Sequence, residues 1–188
     1  MKRLTVAMLA VALLVSGSFA IAEEVKSGLQ AGKFIGPFYV TKLAGAKTDG
    51  VKVGANLCYR CKNGGRPQVM VFTRSTDKKV VDLVKGLDKA IAKHEKQELR
   101  VFVNVLGDSK AAATKEAKKL AKETGAKGVP FVVPNEFENG PDDYGINTKA
   151  DVTIILAQGG EVKVNHAFTA GKEVDAKTVI SSLSKIVK

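Results

Sequence analysis

Pro67-Gln68-Val69-Met70-Val71-Phe72-Thr73 is a short, nearly continuous apolar run held between breakers. A strand that exposes one face to water alternates apolar and polar residues; a run with no such alternation is the pattern of a strand covered on both faces, as in an α/β sheet. Downstream, Ser75, Thr76 or Asp77 can cap a helix in which Val80, Val84, Leu87 and Ile91 recur at helical spacing, giving one buried stripe with Lys and Asp outside. Leu99-Arg100-Val101-Phe102-Val103-Asn104-Val105-Leu106, dense in β-branched and aromatic residues, predicts a second central strand. Asp108 or Ser109 then caps an Ala- and Lys-rich helix that ends at Gly125. Residues 129–133 form a third short strand fenced by Pro130 and Pro134.

Further out, Val152–Ala157 and Glu161–Phe168 flank Gln158-Gly159-Gly160, a hairpin signal, and Asp175 caps a last helix with Val179, Leu183 and Ile186 inward. On the N-terminal side, residues 34–41 are strand-like but carry Pro37, which points to an edge position. Residues 44–67 read as turns and short extended pieces. The order is β, β-α-β-α-β, a β-hairpin and a closing helix. It predicts an α/β fold whose mixed sheet is flanked by helices on both faces, with strands 69–73 and 101–106 as neighbours.

Met1-Lys2-Arg3, the apolar run Leu4–Val15 and the small residues around Ala20 and Ala22 have the form of a cleaved secretory signal over 1–22. The run is shorter than the roughly 20 residues needed to span a bilayer and the acidic pair Glu23-Glu24 follows it, which speaks against a membrane anchor; no stretch of transmembrane length remains after the leader, so no membrane span is expected after its removal. The expected mature domain is 23–188, with 23–30 outside the sheet, in a periplasmic or secreted location where disulfides persist. The chain has 188 residues, 45% hydrophobic and 26% charged, which excludes a disordered or collagen-like chain. Losing Lys2 and Arg3 leaves 28 basic against 19 acidic residues, a net +9. The basic residues are mostly lysines beside acids, as in Lys115-Glu116-Ala117-Lys118-Lys119, which is a solvated face; no arginine cluster with interleaved aromatics is present, and no nucleic-acid partner is expected.

Cys58-Tyr59-Arg60-Cys61 holds both cysteines of the chain. A C-x-x-C can close a ring reversibly, and Arg60 between the thiols, with Lys62 and Arg66 beside them, favours the thiolate by Coulomb attraction. Three readings of the pair stay open. A redox pair would make Cys58 and Cys61 catalytic, with Arg60 as the thiolate-stabilising neighbour. A structural disulfide would pin the loop, although a four-residue ring contributes only about 2 kcal/mol of chain-entropy stabilisation against about 3 for fifteen residues. A copper or zinc site would use both thiolates, with His94 and His166 as the imidazoles available to complete it, at spacings that match no zinc finger. Haem attachment needs a histidine directly after the second cysteine, where this chain has Lys62, and no cofactor is expected.

Gly36-Pro37-Phe38-Tyr39-Val40, the strand Val69–Thr73, Asp108, Tyr144-Gly145-Ile146, Val152–Leu156 and Gly159-Gly160-Glu161-Val162 carry a resemblance. Taken in order over residues 30–187, they are similar to the thioredoxin-like superfamily, in particular its peroxiredoxin-like branch of alkyl hydroperoxide reductase and thiol-specific antioxidant proteins. The resemblance implies a thioredoxin-like fold and exchange with protein thiols or disulfides, with Cys58 attacking and Cys61 resolving by analogy with the thioredoxin order. It also implies a reactive cysteine after the first core strand, where this chain reads Thr73-Arg74-Ser75-Thr76-Asp77, and a cis-proline before the hairpin, where it reads Lys149-Ala150-Asp151. Ordinary peroxidase activity is therefore not expected. The alternative is a non-enzymatic thioredoxin-fold binding protein with a structural disulfide or a metal-binding cysteine pair.

Overall fold

In the computed structural model, which describes residues 25–188, the run at 68–73 is an inner strand of one seven-stranded mixed sheet, next to the central one. The expected signal over 1–22 lies outside the described residues. The strands are β1 (Val40–Gly45), β2 (Asn56–Leu57), β3 (Gln68–Thr73), β4 (Arg100–Val105), β5 (Pro130–Pro134), β6 (Val152–Gln158) and β7 (Glu161–Phe168), in the order β2-β1-β5-β4-β3-β6-β7. The helices are α1 (Tyr59–Asn63), α2 (Lys78–Lys93), α3 (Lys110–Thr124) and α4 (Ala176–Ser181). β3 pairs in parallel with β4, Val69 opposite Val101, and antiparallel with β6, Val69 opposite Leu156. Every residue of β3 is buried, as its lack of alternation requires.

The two faces of the sheet are covered differently. Val69, Val71, Val101, Val103, Ile154 and Leu156 pack under α2, α3 and α4, whereas Met70, Phe72, Phe102 and Ile155 pack under Tyr59 of α1, under Ile35 and Phe38 from an irregular segment and under Tyr144 of the 3-10 turn Asp142–Tyr144. The cause is topological. The crossovers β3-α2-β4 and β4-α3-β5 step in the same direction across the sheet, and two right-handed crossovers in one direction put their helices on one face. The opposite face is left for α1, one 3-10 turn and chain without regular structure. Helix termini follow the sequence: Asp77 accepts from Lys79 N, Ser109 from Ala112 N and Asp175 from Lys177 and Thr178 N, while Gly125 ends α3 in the left-handed conformation.

Four sequence expectations need correction. The strand expected over 34–41 begins at Val40, because residues 35–38 cross the face of the sheet and bury Ile35 and Phe38 there. Nor is it the outermost strand, since the two residues of β2 cover part of it. Residues 25–30 do not stand apart from the domain: Ser27 Oγ hydrogen-bonds Thr153 Oγ1 at 2.6 Å, Gly28 N donates to Gly145 O, and Asn165 Nδ2 donates to Ser27 O and Leu29 O. Pro130 and Pro134 lie inside β5, not outside it, and pair opposite Gly45 and Val40. The last helix is α-helical only over Ala176–Ser181 and tightens to a 3-10 turn over Ser182–Lys185.

Candidate functional site

The cysteine pair sits on a helix that its spacing did not announce. Cys58 is the N-cap residue of α1, and its Sγ accepts a hydrogen bond from Cys61 N at 3.0 Å. The two sulfurs are joined in a disulfide. Their exposures differ: Cys58 is 8% exposed, whereas Cys61 lies open on the surface. The more accessible cysteine is thus the second one.

Tyr59 fixes this turn to the core. Its ring is 3% exposed and stacks on Phe102 with centroids 5.7 Å apart, and its hydroxyl donates to Asp49 Oδ2 at 2.5 Å. Asp49 also accepts from Lys42 Nζ at 2.7 Å and from Val51 N at 2.9 Å. Lys42 is 1% exposed, and its ammonium uses its three donors on Asp49, Ala46 O and Val51 O. That satisfaction is what lets a charged amine stand in the interior. Partial burial pushes the Asp49 carboxyl up, but the hydrogen bonds from Lys42, Tyr59 and Val51 outweigh it and hold the carboxyl below the usual aspartate value. Burial first, then the hydrogen bond to Asp49 and last the Asp49 charge push the Tyr59 phenol far above the ordinary tyrosine range, so it stays a donor at any physiological pH.

Arg60 points elsewhere. Its Nε donates to Ile35 O at 3.0 Å, and its Nη2 lies against Gly160 so closely that a Cβ there would stand 3.0 Å from it. Gly159 N donates to Gly65 O at 3.0 Å and Ile35 N to Gly160 O at 2.9 Å. The guanidinium thus ties the cysteine turn to residues 34–36 and to the tip of the β6-β7 hairpin.

This places the pair at one end of the sheet, before β3 and beside the β6-β7 turn. The junction Thr73–Asp77, where the resemblance puts a reactive cysteine, is at the opposite end, about 20 Å away along a six-residue strand. There Arg74 bridges loops, donating to Ala150 O, Glu138 O and Asn139 Oδ1, and Asp77 caps α2. His94 and His166 do not join the cysteines. His94 ends α2, and His166 Nε2 hydrogen-bonds Ser182 Oγ at 3.1 Å. Among the described residues no three His, Cys, Asp or Glu side chains come together as a metal site.

Sequence reading found Cys58, Arg60 and Cys61 but missed Lys42, Asp49 and the anchoring role of Tyr59. Residues 44–67 read as turns, so nothing in the sequence announces α1, and nothing local marks Lys42 as buried.

No protein-family model matches the sequence, and no curated protein is significantly similar to it. Solved structures do match its fold. AhpC of Mycobacterium tuberculosis superposes with a TM-score of 0.59 at 14% identity, covering 83% of this chain and 96% of that one. A candidate thiol:disulfide interchange protein DsbE from Chlorobium tepidum gives a TM-score of 0.56 at 19% identity, covering 82% and 99%. A candidate protein disulfide isomerase from Bacteroides thetaiotaomicron gives 0.58 at 12% identity, covering 86% and 92%. The fold is thioredoxin-like, of the peroxiredoxin-like kind, and likeness at these identities speaks for fold alone.

Proposed function

We propose that this thioredoxin-like chain is a thiol–disulfide oxidoreductase working outside the cytoplasm, with Cys58 and Cys61 as its redox pair and protein thiols or disulfides as its partners. The observation that carries the reading is the asymmetry of the pair: an exposed Cys61 bonded to a nearly buried Cys58 whose sulfur receives the Cys61 N–H. An incoming thiolate reaches Cys61 Sγ first. It forms a new S–S bond there, the Cys58–Cys61 bond breaks, and Cys58 leaves with the electron pair as a thiolate that the Cys61 N–H stabilises. A second substrate thiolate attacks the substrate sulfur of this mixed disulfide, releasing an oxidised substrate and the Cys61 thiolate. Two substrate thiols are oxidised, one protein disulfide is reduced, and the two protons pass through solvent to the cysteines. The attack order is therefore the reverse of the thioredoxin order. Export rests on the signal-like pattern of residues 1–22.

The rival reading is a thioredoxin-fold binding protein in which the disulfide only pins α1, and the low exposure of Cys58 speaks for it. A glutathione redox titration of the purified protein separates the two. A potential near or above about −250 mV supports exchange, and one below about −300 mV makes the bond a staple.

A further inference from the structure

At the N-terminal ends of β4 and β5, against the face of α1 that carries Tyr59, Lys62 and Asn63, lies a cavity of about 440 Å³, a volume in the range of small-molecule sites. Neither cysteine lines it, so it is a place separate from the disulfide. Three cations do line it, Lys62, Arg66 and Arg100. Glu98, which stands outside the lining, pairs with both arginines through one oxygen, 3.1 Å from Arg66 Nε and 3.3 Å from Arg100 Nη2. One carboxylate thus sets two guanidiniums side by side without neutralising both. Lys62 has no ion-pair partner among the described residues. The lining acid, Asp49, already faces the buried Lys42 ammonium. A concave site with this excess of positive charge attracts an anion.

Asn63 adds unmet hydrogen-bonding capacity. It is 6% exposed and lines the cavity, and its backbone carbonyl accepts from Arg66 N and Arg66 Nη1, but its side-chain amide has no hydrogen-bond partner among the described residues. A buried amide left without a partner costs free energy, and a ligand in the cavity supplies one. Beside these polar groups, Leu99, Val101 and Pro130 are buried and give the cavity an apolar floor. We propose that the cavity binds a small organic phosphate. Its phosphoryl dianion lies between Arg66, Arg100 and Lys62 and accepts from the Asn63 amide, and its organic body lies over the apolar floor. Two guanidiniums gathered around one oxygen suit a single head with two charges, since the planar fork of arginine matches phosphoryl oxygens; two separated carboxylates would need the cations apart. The site is independent of the oxidoreductase reading.

The test is an NMR titration of the oxidised full chain at fixed ionic strength with four probes: phenyl phosphate, inorganic phosphate, succinate and benzyl alcohol. Phenyl phosphate shifts the amides of Lys62, Asn63, Arg100 and Gly128 along one saturable curve. It binds about fivefold or more tighter than inorganic phosphate, which lacks a body for the apolar floor, and tighter than succinate. Benzyl alcohol, without the charge, leaves these amides unmoved. Lys62→Gln combined with Arg100→Gln weakens phenyl phosphate about tenfold or more, while an unchanged thermal midpoint shows that the variant is folded. Shifts that never saturate or that scatter over the lysine-rich surface, an affinity that the charge-removing pair leaves unchanged in a folded protein, or succinate binding tighter than phenyl phosphate overturns the proposal. The comparison of the four probes uses the parent protein alone, so it decides the matter even where the variant does not fold.

Discussion

Asp49→Asn leaves the Lys42 ammonium, 1% exposed, facing a neutral amide. Removing one partner of a buried ion pair typically costs about 3–5 kcal/mol, because the remaining charge has neither water nor counter-ion. Asp49 is 17% exposed, so some water reaches the pair, and the lower part of that range, about 3 kcal/mol, is expected. For a domain of this size each kcal/mol moves Tm by roughly 2–4 °C, so the variant melts about 6–12 °C lower. Lys42→Met in the same background removes the stranded charge and recovers most of the loss, leaving the double variant within about 1.5 kcal/mol of the parent. The assay is urea denaturation of the oxidised protein at pH 7, with the four proteins of the cycle compared at equal m-value. The pH dependence gives a second arm. Asp49 has a folded pKa below its unfolded value of about 3.9, so its contribution is present above that value and lost as pH falls through the lower folded value. The parent therefore loses more stability than the double variant on going from pH 5 into that acid window. A cost of Asp49→Asn below about 1 kcal/mol, with no rescue by Lys42→Met, refutes the reasoning that the pair anchors the cysteine turn.

Arg60→Ala removes the hydrogen bond to Ile35 O, costs about 1 kcal/mol and loosens the contact of residues 34–36 with the hairpin tip, read as faster amide exchange at Ile35. If the guanidinium also acts on the thiols, the pH midpoint for alkylation of reduced Cys58 in the Cys61→Ser background rises by a fraction of a unit to about one unit; an unmoved midpoint assigns Arg60 to anchoring alone. Gly45→Ala destabilises by more than about 3 kcal/mol in thermal or urea unfolding, since a Cβ at φ +74° would sit 2.0 Å from Val129 O on the β1-β5 pairing. His166 is half-buried, and burial lowers its pKa below the ordinary histidine value, with the Asp175 charge opposing. The unfolded state therefore binds the proton more readily, stability falls as pH drops below about 6.5 and levels out under the folded pKa, and His166→Gln flattens that slope between pH 7 and 5.

The sequence by itself determined what short-range physics controls. The strands around Val69–Thr73, Val101–Val105 and Val152–Ala157, the stripe of Val80, Val84 and Leu87, and the caps at Gly125 and Asp175 all depend on neighbours within a turn or a pleat, and all are legible in the sequence. The other two N-caps are legible only as short sets, Ser75, Thr76 or Asp77 and Asp108 or Ser109, from which the fold selects Asp77 and Ser109. Ile91 is only half-buried, since it lies near the helix end where the stripe runs out from under the sheet. The cysteine pair was legible as chemistry too, because two thiols three residues apart can close a ring wherever they stand. Only the tertiary structure decided which thiol faces solvent, that the pair lies at the far end of the sheet from Thr73–Asp77, and that Lys42 is buried. The reason is that each of these depends on contacts distant in sequence: Tyr59 on Phe102, Arg60 on Ile35, Gly159 on Gly65. A lysine in a strand reads locally as a solvent-facing residue, and only the loop over 46–51, folding back to offer Ala46 O, Asp49 and Val51 O, makes an interior place for its charge.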